Sequence, residues 1–87
     1  MKKDEVAVGD EVKVVNNHLL EGNTIKPNLV LHAKHEVKDV FVCGCGEVHL
    51  DIGLPLEINY VSCYKCREEL PLKNNTHWCN SIRFIKA

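Results

Sequence analysis

Two cysteine pairs constrain this 87-residue chain more than any other feature: "CGC" at residues 43–45 and "CYKC" at residues 63–66, with seventeen residues between Cys45 and Cys63. A domain this small buries only about 60–65% of the surface its unfolded chain exposes. Small scaffolds of this kind are often reinforced by disulfides or a metal ion. The spacing is close to the C-x2-C-x15–20-C-x2-C arrangement of structural zinc sites. Zinc takes four sulfur or nitrogen ligands in a tetrahedron, with sulfur at about 2.3 Å. Two short turns can each supply two thiolates. In a plain extended strand Cys43 and Cys45 would point the same way but stand too far apart to share one ion. Gly44 and Gly46 let the backbone curl and close that gap.

Disulfides are the rival use of these cysteines. Five is an odd number, which full pairing within the chain cannot use. The opening "MKKDEVAVGDEV" has two lysines but no apolar stretch of the kind a secretory signal carries. A cytoplasmic location is therefore expected, and clustered cysteines there read first as metal ligands or reactive thiols. No run of about 18 or more apolar residues is present to form a membrane-spanning helix.

The expected ligand set is Cys43, Cys45, Cys63 and Cys66, holding a structural Zn²⁺. The first turn is C-x-C-G rather than C-x-x-C-G, and Arg67 stands where a glycine would usually follow the second pair. That departure leaves open a set in which His49 replaces one of the first two cysteines. It also leaves open plain buried thiols, which are common core residues. Cys79, beside the sole tryptophan, is expected to be a small buried side chain, and His77 is not needed to complete a tetrahedron. His18, His32 and His35 are isolated and read as surface or loop residues.

The remainder reads as a mostly β chain, a single domain over residues 1–87. "GDEVKVV" is a turn and a strand with Val12 and Val14 on one face. "HLLEGNTIKPNLVLHAK" is a polar connection with no 3.6-residue period. "HEVKDVFVC" reads as one β-branched strand whose alternation changes phase at Lys38 and Asp39, as a bulge would produce. "EVHLDIGL" alternates, with Val48, Leu50, Ile52 and Leu54 on one face and Glu47, His49 and Asp51 on the other, until Pro55 breaks it. "EINYVSC" is a further strand, and "REELPLKNN" a turn or single helical turn. "THWCNSIRFIKA" kinks near Asn80 and Ser81 before a terminal strand. Short strands between turns suggest a small barrel or sandwich.

"GDEVKVV", "KHEVKDVFVC" and the closing "SIRF" resemble a group of very small SH3-like β-barrel proteins of phages, prophages and gut bacteria. A variant of that group carries "C-x-C-G…H-x-D-x-G" followed by a C-x-x-C pair, matched here by Cys43 to Gly53 and Cys63 to Cys66. It ends in a Trp-containing segment like "HWCNSIRF", and the likeness runs from Val8 to Ile85. The resemblance implies a small SH3-like barrel with an inserted zinc-ribbon-like knuckle pair. It places the terminal "RFIK" strand beside "EVKVV". The chain departs at Ser81-Ile82-Arg83, where such endings more often read Ser-Arg-Phe, and the extra isoleucine threatens the register of the last strand. No activity is implied.

Three function classes remain in view. A zinc-stabilised binding module with a protein partner is the first, because four cysteine ligands leave no open position for water or substrate. Single-stranded nucleic-acid binding is the second. The formal net charge of −1 opposes it, and four thiolates around one Zn²⁺ would carry a further −2. Residues 61–87 nevertheless hold five basic side chains against two glutamates. Lys65 and Arg67 beside Tyr64 and Trp78 could form a basic, stacking patch. An enzyme is the third and is not expected. Hydrolytic zinc needs an open position, a thiol oxidoreductase needs its C-x-x-C at a helix start in a βαβ unit, and Pro71 interrupts the chain too soon after Cys66.

Overall fold

The computed structural model describes residues 1–18, 28–55, 62–71 and 76–87. Their strands are β1 (Glu11–Val14), β2 (Lys34–Glu36), β3 (Asp39–Val42), β4 (Val48–Pro55), β5 (Thr76–Asn80) and β6 (Phe84–Lys86). The only helical piece among the described residues is a 3₁₀ turn at Ser81–Arg83. The fold is mostly β, as the sequence pattern indicates. Two antiparallel three-stranded sheets form, ordered β2-β1-β6 and β3-β4-β5. They do not close into a barrel among the described residues. The "EINYVSC" strand lies mostly outside the described residues, as do much of the 18–34 connection and the end of "REELPLKNN".

Both sheets contribute to one core. Val12 and Val14 of β1 and Phe84 of β6 meet Val48, Leu50 and Ile52 of β4 and Cys79 of β5, with Val6, Leu29 and Val37 from the connections. Burying an aliphatic side chain of this size stabilises by about 1.5–3 kcal/mol. The strand β1 begins where Asp10 closes a turn: its carboxylate accepts from the Ala7 amide at 2.8 Å. From there Val12 and Val14 alternate inward against exposed Glu11 and half-buried Lys13.

The terminal strand pairs with β1 as expected, with Val14 opposite Phe84 and Val12 opposite Lys86. The extra isoleucine does not disturb it. Ile82 is taken up by the 3₁₀ turn and is exposed, and the Asn80 side chain caps that turn by accepting from the Ile82 amide at 2.9 Å. Phe84 then still points inward.

Residues 35–43 do not form the single bulged strand that their composition suggests. The segment divides at Val37–Lys38, with β2 in one sheet and β3 in the other. Adjacent amides show why. Val37 N–H donates to the Asp10 carbonyl at 2.8 Å, whereas Lys38 N–H donates to the Asp51 carbonyl at 2.7 Å. The change of phase is a crossing between sheets, with Val37 fully buried at the crossing.

The strand β4 carries Val48, Leu50 and Ile52 into the core as its alternation predicts. Its other face is buried too: His49 is 2% and Asp51 4% exposed. The Asp51 carboxylate accepts from the Gly53 amide at 2.8 Å and from the Thr76 hydroxyl at 3.0 Å. Those bonds offset the cost of its burial. On this second face Trp78 packs with Leu70, Cys43 and Cys63, and Phe41 lies against them.

Candidate metal centre

The first knuckle is the β3–β4 hairpin. Val42 and Val48 are its last paired residues. The Cys43 amide donates to the Glu47 carbonyl at 3.1 Å, and Gly46 N–H donates back to the Cys43 carbonyl at 2.9 Å. The second knuckle is closed by a bridge between Ser62 and Glu69. Here the Cys63 amide donates to the Glu68 carbonyl at 2.9 Å, and Arg67 N–H to the Cys63 carbonyl at 2.8 Å. Each second cysteine is followed by a left-handed residue, Gly46 at φ 90° and Arg67 at φ 62°. Arg67 thus adopts the conformation a glycine would supply, and the missing glycine does not prevent the turn. An arginine held there stores about 1–2 kcal/mol of backbone strain. Arg67→Gly is therefore expected to leave metal stoichiometry unchanged and to alter stability by at most about 1 kcal/mol, in the stabilising direction. Thermal melts of the two proteins check this.

The knuckles place four sulfurs together. Cys43 and Cys45 Sγ are 3.2 Å apart, Cys45 and Cys63 3.7 Å, and Cys43 and Cys66 3.7 Å. All four lie within 4.8 Å of one another. A tetrahedron with bonds of about 2.3 Å has edges of about 3.8 Å. The 3.7 Å edges fit that figure, and an ion would spread the Cys43–Cys45 pair by about 0.6 Å. None of the cysteines is in a disulfide.

Backbone amides support the sulfurs. The Cys45 amide bonds the Cys43 sulfur, the Glu47 amide that of Cys45, and the Lys65 and Cys66 amides that of Cys63. Each such bond favours the thiolate. Two contacts tie knuckle to knuckle. Gly44 N–H donates to Glu68 Oε1 at 3.3 Å, and Lys65 Nζ lies 3.6 Å from Glu47 Oε1. A Cβ on residue 44 would stand 3.0 Å from Glu68 Oε1. A side chain at residue 44 would have to push the exposed Glu68 carboxylate aside. Cys43 and Cys63 are buried against Trp78 and Leu70, whereas Cys45 and Cys66 face solvent.

Proton competition follows from this asymmetry. Burial, and then the hydrogen bond with Cys45, push the Cys43 thiol up to about 12. Cys45 is held down to about 7, first by the Cys43 hydrogen bond and then by the Glu47 amide. Burial raises Cys63 as well. An incoming ion has to displace protons from Cys43 and Cys63, so metal affinity falls as the pH falls.

His49 is not among the four clustered side chains. Its ring lies 6.5 Å from that of Phe41, and its Nε2 is buried without a hydrogen-bond partner. Burial lowers its pKa and keeps the imidazole neutral. Cys79 is 1% exposed in the main core, away from the cluster. Burial pushes its thiol up to about 12. An unfolded cysteine ionises near 8.5, so between these values the unfolded state binds fewer protons than the folded one. Stability contributed by Cys79 is full below the unfolded pKa and is lost as the pH rises toward 12. Wild type should lose about 1 kcal/mol per pH unit more than Cys79→Ala above pH ~9. Denaturant titrations at several alkaline pH values read that difference.

The four residues expected to meet nucleic acid are not arranged alike. Lys65 and Arg67 are exposed and Tyr64 is half-buried. Trp78 corrects the expectation: it is 6% exposed, and its Nε1 donates to the Pro71 carbonyl at 2.6 Å. It floors the cysteine cluster and offers no face for a base. Sequence reasoning also missed Glu47 and Glu68 as the clasp between knuckles. Their only sequence signal is nearness to the cysteines.

No protein-family model, no curated protein and no solved structure matches the chain. No helix among the described residues is long and apolar enough to cross a membrane. Fold and site together define a small, mostly β domain with a four-cysteine cluster able to hold a metal ion.

Proposed function

We propose that the chain is a non-enzymatic, zinc-stabilised binding module in which Cys43, Cys45, Cys63 and Cys66 hold a structural Zn²⁺. The observation that carries this reading is the gathering of four Sγ atoms within 4.8 Å, from two hairpin turns far apart in sequence. Four thiolates suit zinc and other thiophilic ions, and a full sulfur shell leaves no position for a substrate. The module would serve a protein partner in the cytoplasm. Its kinship with the SH3-like barrels of phages and prophages belongs to this proposal and rests on the residues quoted above.

Single-stranded nucleic-acid binding is the weaker reading. Lys65 is paired with Glu47, Glu68 and Glu69 follow Arg67 directly, and Trp78 is enclosed. Little unopposed positive charge is left beside a site that would itself be anionic.

Metal content of three variants tests the assignment. Cys66→Ser should lose the zinc. His49→Ala and Cys79→Ser should each keep one zinc per chain, the latter with a packing penalty of about 0.5–3 kcal/mol. Loss of zinc in His49→Ala would put the histidine in the ligand set. Retardation of single-stranded DNA that weakens steeply with salt would favour the second reading.

A further inference from the structure

The four sulfurs are not equivalent. Cys45 and Cys66 are exposed, and Cys43 and Cys63 are buried. The Cys43 sulfur lies 3.2 Å from Cys45 but 3.7 Å from Cys66, and Cys45 lies 3.7 Å from Cys63. The shortest of these separations therefore joins an exposed thiol to a buried one across a single glycine. A disulfide needs sulfurs about 2.05 Å apart, so this pair has to close by only about 1.2 Å. Susceptibility to oxidation follows thiolate character and exposure, and a neighbouring thiol turns the first product into a disulfide. Zinc keeps its cysteine ligands as thiolates.

We propose that the site is a redox-controlled metal switch: a hydroperoxide oxidises Cys45, and Cys43 then closes a Cys43–Cys45 disulfide that ejects the ion. This rests on the reading that the four cysteines hold zinc. In the first step the Cys45 thiolate attacks the terminal peroxide oxygen, the O–O bond breaks, and Cys45 sulfenic acid and an oxyanion form, hydroxide when the oxidant is hydrogen peroxide. In the second, the Cys43 thiolate attacks the Cys45 sulfur. The S–S bond forms, the S–O bond breaks and hydroxide leaves. Two electrons have passed from the cysteines to the peroxide. Cys63 and Cys66 remain as two ligands, too few for a closed tetrahedral site. Burial shields Cys43 from the oxidant while leaving it beside Cys45. Exposed disulfides belong to the labile, regulatory class, so a dithiol should reduce this one and allow zinc to return. Cys79, 1% exposed, is an internal control.

The test uses the zinc-loaded wild-type chain, because Cys45→Ser removes a ligand as well as the reactive thiol. Zinc per chain is measured first. Hydrogen peroxide is then added with a colorimetric zinc indicator, and the products are digested and mapped by mass spectrometry. Expected are release of all the bound zinc, loss of two free thiols and a Cys43–Cys45 link. A sulfenic-acid trap present from the start should label Cys45. Cys79 should stay reduced, and dithiothreitol with added zinc should restore the starting state. Zinc retained through oxidation would overturn the switch and leave the zinc site intact. So would release accompanied by a Cys63–Cys66 link or by first labelling at Cys66. Absence of zinc before any oxidant is added would instead sink the zinc reading itself, and the switch with it.

Discussion

Replacing Cys63 with serine is expected to strip the metal from the protein and loosen one end of the domain, while the main core stays folded. Cys63 is 1% exposed and receives two backbone amide bonds on its sulfur. A neutral serine hydroxyl cannot replace that thiolate. Structural zinc binds with apparent free energies of about 10–16 kcal/mol, so losing one ligand removes several kcal/mol of metal-linked stability. For a domain this small, an ion bound that tightly could decide whether the chain folds at all. The structure narrows that expectation. The Val12, Val14, Val48, Leu50 and Phe84 core shares no residue with the Cys43, Cys63, Leu70 and Trp78 cluster. Hydrogen exchange on Cys63→Ser should therefore show fast exchange in residues 62–71 and at the β3–β4 turn, with protection kept in β1, β4 and β6. Uniform loss of protection would show that the two clusters form one cooperative unit.

Trp78→Ala is the second large effect. The indole fills the space between the sheet and the knuckles and packs on both buried cysteines. Its ring lies 6.0 Å from Phe41, and Nε1 pins Pro71, so it fastens the second knuckle to β5. Removing a buried tryptophan costs about 3–5 kcal/mol. Trp78 is not a ligand, so the variant should still take one zinc per chain at saturation, with weaker affinity. Trp78→Phe keeps most of the packing and should lose about 1 kcal/mol with the hydrogen bond. Denaturant unfolding of the zinc-loaded proteins measures both. A Trp78→Ala cost near that of a surface substitution would contradict the packing described here.

Much of the site was legible in the sequence because metal ligation leaves a spacing signature that depends on few other residues. Cys43, Cys45, Cys63 and Cys66 come together as that spacing predicts. Strand β1 was legible for a related reason: Val12 and Val14 alternate with charged Glu11 and Lys13. The pairing of the last strand follows from the resemblance to SH3-like barrels and not from alternation, since Phe84 is followed by Ile85. Less was legible where burial depends on distant partners. His49 and Asp51 look outward-facing because they are polar. Only Thr76, 25 residues away, and the Trp78 layer reveal that this face is covered. Trp78 itself looked like a stacking surface because nothing local shows Pro71 accepting its N–H. In the sequence the crossing at Val37–Lys38 cannot be told from a bulge, because both produce the same change of phase. Arg67 was a visible departure from the usual glycine, but the sequence could not show that its backbone would take the left-handed conformation regardless.

The central claim is that four cysteines from two hairpin turns hold one ion. Elemental analysis of the purified chain, combined with X-ray absorption at the zinc edge, tests it most directly. The predicted result is one zinc per chain with a shell of four sulfurs at about 2.3 Å and no nitrogen. A chain that contains no metal after zinc-replete expression and reconstitution, or a shell containing nitrogen, would contradict it.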